Sequence, residues 1–182
     1  MTSPLLWYLN RGTGVVLLVV MTLTTLLGML ATGRGFRPWW PRFVTQGVHR
    51  SLAGTSVLLL IGHVVSAVVD EFVDIRWWQA VVPWGATYRP LYLSLGTLAL
   101  DLVALVVVTS LLRARLPDRV WRSVHVSSYV AFGLAVVHGL GTGTEAGRGW
   151  FPALTWCCAS VVALAAAARL VGVRRGLVRS RP

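Results

Sequence analysis

"RFVTQGVHRSLAGTSVLLLIGHVVSAVVD", residues 42–70, decides how the rest of the chain is read. From Ser51 to Val69 it carries no charge, and a helix needs roughly 20 such residues to cross about 30 Å of hydrocarbon. Two histidines stand in it, His49 and His63, 14 positions apart. On a helix that spacing is a rise of about 21 Å and a rotation about 40° short of whole turns. The two imidazoles therefore share a face, one near each end of the span.

The same solvent is written over the whole chain. Of its 182 residues 55% are hydrophobic and only 13% charged, with a mean hydropathy of +0.69, so water is excluded as the surrounding of most of it. Uncharged or nearly uncharged runs extend over Thr13–Thr32, Ser51–Val69, Leu91–Leu112 (interrupted by Asp101), Ser123–Thr144 and Phe151–Ala168. The expected fold is all-α, an integral membrane bundle of five transmembrane helices. The first run is not read as a signal peptide, because it is long for one and its positive charge follows instead of preceding it. No repeat or linker divides the chain, so residues 1–182 are expected to form one domain.

Arginine placement orients the spans. All 17 basic residues are arginine, and they gather in alternate connections: Arg34, Arg37, Arg42 and Arg50; then Arg113, Arg115, Arg119 and Arg122; then Arg169, Arg174, Arg175, Arg179 and Arg181. The other connections pair few arginines with acids. The positive-inside rule then places the N-terminus outside and the C-terminus inside, in a multi-pass cell-membrane protein. The net charge of +11 reads as topology and contact with anionic membrane lipid, not as a nucleic-acid footprint. Pro41, Pro90 and Pro117 precede the second, third and fourth spans, where a missing amide proton costs a helix little. The histidine-bearing helices are thus expected to begin near Phe43 and Asp118. Gly139 to Gly149 should end the fourth helix in a tight turn, and Asp70 to Pro90, with Trp77, Trp78, Trp84 and Tyr88, reads as an interfacial or re-entrant segment.

The fourth span carries the only other histidines, His125 and His138, 13 positions apart. An ideal helix raises them by about 20 Å but points them roughly 140° apart, so a tightened turn, a tilt or a distortion near Gly133 is required for a common direction. Because the second and fourth spans run the same way, His49 is level with His125 on the inside and His63 with His138 on the outside. A neutral imidazole is a strong axial ligand for haem iron, and two from neighbouring helices can close both faces of one macrocycle. Two levels can hold two haems. The alternative is four separate histidines, each hydrogen-bonded to a neighbouring helix. A zinc ion shared by His49 and His63 is excluded by their separation.

These pairs, with "YRPLYLSLGTLALDLVALVVVTSLLRARL", "RVWRSVHVSSYVAFGLAVVHGLGTGTE" and the arginine-rich turn before His125, resemble the ferric reductase-like transmembrane domain. That family includes the membrane cores of NADPH oxidases and the haem-binding membrane subunit of the bacterial methionine-sulfoxide-reductase system. The resemblance, over roughly Thr13 to Leu170, implies bundled helices with two b-type haems on His49/His125 and His63/His138. It implies electron transfer from a cytoplasmic-side or quinol donor to an extracytoplasmic acceptor, and points to a bacterial plasma membrane. Ferric reductases and NADPH oxidases continue into a flavin and nicotinamide module. Only about a dozen residues follow Arg169 here, without a Gly-rich dinucleotide fingerprint, so the expected donor is another molecule, a quinol or a flavoprotein. Where NADPH oxidases place a second outer histidine this chain has Ala67, and its first span lacks their arginine. Superoxide production is not expected.

Weaker candidates surround the histidines. Arg50 and Arg122 beside the inner pair, and Arg89, Tyr88, Arg148 and Thr142 at the outer pair, are placed to meet haem propionates; ordinary flanking arginines are the competing reading. Asp101 shares a face with Ser94 and Thr97, which reads as a hydrogen-bonded acid facing the bundle or as a proton relay. Cys157 and Cys158 are expected to be reduced packing residues. The residues leave two functions open: an oxidoreductase or electron-transfer subunit, and a non-catalytic haem-binding scaffold of a larger complex.

Overall fold

The computed structural model describes residues 4–32, 41–70, 73–142 and 149–179. They form α1 (Pro4–Thr32), α2 (Arg42–Val69), α3 (Pro90–Leu111), α4 (Asp118–Val126), α5 (Ser128–Thr142) and α6 (Trp150–Arg179), with short 3-10 turns at Trp77–Ala80 and Arg113–Arg115. No strand occurs among the described residues. Five helical stretches are long and apolar enough to cross a membrane, α4 and α5 together making the fourth. A helix is what hydrocarbon demands, because it satisfies every interior backbone N–H and C=O within the segment. Hydroxyls follow the same rule. Thr22, Thr24, Ser56, Thr109 and Thr155 each donate to the carbonyl four residues back, at 2.7–3.0 Å.

The helix starts lie where the prolines put them. α2 begins one residue after Pro41, whose carbonyl accepts from the amides of Val44 and Thr45, and α4 begins after Pro117, whose carbonyl accepts from Trp121. α3 has Pro90 in its first turn, and Arg89 before it is left-handed (φ 39°), a costly conformation for a residue with a Cβ. The Arg89 guanidinium offsets that cost by donating to the Gly141 carbonyl near the end of α5.

Two tight antiparallel pairs make the bundle, α1 with α2 and α3 with α5, and α6 closes against α1 and α5. A buried cluster of Met29, Phe132, Val136, Cys158 and Val162 joins α1, α5 and α6. Cys158 is a packing residue, Cys157 beside it is exposed, and both thiols are free. Large side chains such as Leu58, Leu105 and Leu164 point outward, as suits a surface that faces lipid.

Four expectations are corrected. α1 begins at Pro4, nine residues earlier than the apolar run, so Asn10 and Arg11 are helical. The expected absence of an arginine from the first span is thereby overturned: Arg11 lies within the membrane-crossing stretch Leu5–Ala31 and lines the same cavity as His63. The fourth span is interrupted not at Gly133 but at Ser127, two residues after His125. There the Ser127 amide and hydroxyl both turn back to the Val124 carbonyl, at 3.0 and 2.7 Å. Such a tightened turn advances direction faster than an α-helix does and reduces the angular mismatch between His125 and His138. α5 ends at Thr142, within the Gly139–Gly149 stretch expected to end it, and Gly141 in its last turn lets the Tyr92 ring approach its backbone. Residues 143–148, with the expected turn, lie outside the described residues. Asp101 makes no hydrogen bond or ion pair among the described residues, and Ser94 and Thr97 donate to Pro90 and Gln79 instead.

Among its described residues the connection after α2 holds one 3-10 turn, Trp77–Ala80, laid on α3. Gln79 is its buried anchor: its amide oxygen accepts from the Arg76 N–H at 3.0 Å, and its amide nitrogen donates to the Gly85 carbonyl at 3.1 Å. Gly85 has φ +83° and a Cβ there would stand 2.7 Å from the Trp78 ring, so a glycine is required. The buried Thr97 hydroxyl donates to the Gln79 carbonyl at 2.7 Å. Thr97→Val should leave that carbonyl without its donor and cost about 1 kcal/mol, read as a lower Tm and faster proteolysis within residues 73–89.

Candidate functional site

The four histidine rings meet in two pairs. His49 on α2 faces His125 on α4 with ring centroids 6.3 Å apart, and His63 on α2 faces His138 on α5 at 6.5 Å. Levels are set by the antiparallel contacts of α2 with α1: His49 lies beside Thr24, and His63 beside Asn10. A metal–imidazole bond is about 2 Å and a ring centre lies about 1 Å beyond its nitrogen, so one metal ion between two opposed imidazoles needs centroids about 6 Å apart. Both pairs meet that requirement.

Hydrogen bonding selects the tautomer. His49 Nδ1 lies 2.9 Å from the Thr24 carbonyl oxygen, His63 Nδ1 3.0 Å from that of Asn10, and His138 Nδ1 2.8 Å from that of Tyr92. A carbonyl oxygen only accepts, so each Nδ1 carries the proton and each Nε2 keeps a bare lone pair. This is the arrangement that orients a metal-ligating histidine and raises its basicity. The Asn10 side-chain nitrogen, also 3.5 Å from His63 Nδ1, is not its partner; it donates to the His63 carbonyl at 2.8 Å and to Ser66 Oγ at 3.2 Å.

His125 is held differently. Its Nδ1 is buried without a hydrogen-bond partner among the described residues, and its ring stacks on Trp121 at 4.9 Å with planes 23° apart. The Arg113 guanidinium covers the Trp121 ring, 4.5 Å from its centroid, and is paired with Asp118 at 2.6 Å. Packing orients the His125 ring, whereas no carbonyl among the described residues assigns its tautomer.

A cavity of about 300 Å³ lies against His63 and His138, within the size range of ligand sites. His63, His138, Gly14, Gly96, Leu100 and Phe132 line parts of it, and its walls are mostly apolar. Tyr88 and Thr142 reach it, Thr142 with its hydroxyl on the His138 carbonyl at 2.8 Å. Ala67 also lines it, but neither Asp101 nor the His49/His125 pair does. Arg50 and Arg122 are exposed, Arg89 is committed in part to Gly141, and Arg148 lies outside the described residues.

Spacing alone did not reveal Gly14, Gly28 and Gly96. Each stands behind one ligand-like imidazole: a Cβ on Gly14 would lie 3.1 Å from His63 Cε1, one on Gly28 3.2 Å from His49 Cε1, and one on Gly96 would overlap the His138 ring. The available signal was the 14-residue interval from Gly14 to Gly28, which equals that from His49 to His63 on the antiparallel neighbour.

Among the described residues no cluster of three or more His, Cys, Asp or Glu could enclose a bare ion. Two opposed imidazoles per level suit instead a metal whose remaining ligands come with a macrocycle. Fold and site thus define a polytopic helical membrane protein with two stacked bis-imidazole levels. Residues 13–136, about two thirds of the chain, match the family model for the ferric reductase like transmembrane component, and the chain belongs to that family. The match covers His49, His63 and His125 and stops two residues before His138. No curated protein and no solved structure gives a match.

Proposed function

We propose that this chain is a b-type di-haem electron-transfer protein that takes electrons on its arginine-rich side, from a quinol or a flavoprotein, and delivers them to an acceptor on the opposite side. The observation that carries the reading is the repeated geometry: two pairs of imidazoles at a separation that fits one metal each, three of the four with Nδ1–H given to a carbonyl and Nε2 left bare. His49 and His125 would hold the inner haem, and His63 and His138 the outer one. Bound there, a haem supplies a one-electron carrier at each membrane level.

The chain's own residues do the rest. With two imidazoles given to each haem, the residues at each level would favour outer-sphere electron transfer over oxygen activation. The carbonyls of Thr24, Asn10 and Tyr92 fix the orientation of three imidazoles. Leu100 and Phe132 give the His63/His138 level part of its apolar wall. Arg50 and Arg122 present cations beside the inner pair, suited to propionates, and Arg89 has N–H donors beyond the one on Gly141 for the outer pair.

Proteoliposomes with ferricyanide enclosed and a quinol or reduced flavoprotein outside provide the test. Protein inserted with its arginine-rich face outward should reduce the enclosed ferricyanide, and His63→Ala should abolish that reduction. Full haem occupancy with no electron crossing would favour the scaffold reading instead.

A further inference from the structure

Three of the four facing imidazoles rest on one repeated device. Asn10 and Gly14 on α1 serve His63, Thr24 and Gly28 on α1 serve His49, and Tyr92 and Gly96 on α3 serve His138. In each case a carbonyl accepts from Nδ1, and the residue four positions on is glycine. The spacing has a physical cause. A helical carbonyl spends one lone pair on the amide four residues later, so the side chain at that later position stands beside the lone pair that remains. Glycine leaves it open to an imidazole from the neighbouring helix.

Close contact is not general among the glycines, and at the crowded Gly85 and Gly141 the neighbour is Trp78 or Tyr92 and not an imidazole. A Cβ built on Gly12, Gly47, Gly54, Gly62 or Gly133 would meet nothing within 4 Å. His125, stacked on Trp121, has no such carbonyl among the described residues.

We propose that Gly14, Gly28 and Gly96 are positioning residues: each opens the carbonyl four residues before it to the Nδ1–H of one imidazole, and so tunes one haem level without the other. The inference rests on the di-haem reading above. A hydrogen bond from Nδ1 makes the ligating Nε2 more basic and favours ferric over ferrous iron. Pushing the imidazole off its carbonyl should therefore favour reduction. Each ferric site takes one electron from the titrant, and Nδ1 keeps its proton.

The test is a potentiometric titration of the purified haem-loaded protein, followed by its visible spectrum, for wild type, Gly14→Ala, Gly28→Ala and the same-helix control Gly12→Ala. Gly14→Ala should raise the reduced-to-oxidised ratio of one haem about tenfold at a fixed poise, an upward shift of about 59 mV for one electron. The haem that moves should be the one that His63→Ala removes. Gly28→Ala should move the other, and Gly12→Ala neither. Loss of only the corresponding haem from Gly14→Ala or Gly28→Ala would also support the device. Two haems that titrate in both variants as they do in Gly12→Ala, or that shift together, would overturn it. Fewer than two haems in the wild type would instead overturn the di-haem reading.

Discussion

Replacing His63 or His138 with alanine should lower the haem content from about two per chain to about one, with the remaining haem keeping its spectrum and potential. The two imidazoles face each other at 6.5 Å, and the other pair is about 20 Å away along the helices, so each ligand belongs to one level only. A single remaining imidazole would hold a haem there by one side chain only, and b-type haem has no covalent link to retain it. His49→Ala and His125→Ala should remove the complementary haem. Pyridine haemochrome content per chain is the measurement; equal loss of both haems from every single variant would contradict the pairing.

Gly141→Ala is expected to be the most disruptive single methyl addition. The built Cβ overlaps the Tyr92 ring at Cγ and Cδ1, the rigid near end of the side chain, so either α5 or α3 must shift. Overpacking of this kind costs about 1–3 kcal/mol, and here the damage propagates, because the Tyr92 carbonyl seats His138 and the Gly141 carbonyl holds Arg89. The variant should unfold at lower temperature in detergent and lose outer haem before inner haem on heating. An unchanged Tm together with full outer occupancy would show that the α3–α5 seam is looser than its geometry implies.

Much of this architecture is legible in the chain because hydrocarbon permits few solutions. The five spans, the helix starts after Pro41 and Pro117, and the equal depths of the two histidine pairs all follow from charge-free runs and a 1.5 Å rise. What was not legible depends on contacts between helices. The break at Ser127 comes from a hydroxyl and an amide turning to one carbonyl, and serine elsewhere in the spans bonds backward without a break. Gly133 is the more conspicuous residue, yet it sits in regular helix. Gly141 was legible only as part of the stretch that ends the helix; that it also admits the Tyr92 ring depends on the neighbouring helix. Asp101 shares a helical face with Ser94 and Thr97, but both hydroxyls are taken by backbone carbonyls, and helix periodicity carries no information about that competition.

The central claim is that two imidazole pairs each hold one low-spin b-type haem. A reduced-minus-oxidised spectrum of the purified chain, taken with a haem-to-protein ratio, tests it most directly. The account predicts a ratio near two and the sharp α-band of bis-histidine haem b. A chain that folds, keeps its helical content and carries no haem would contradict it.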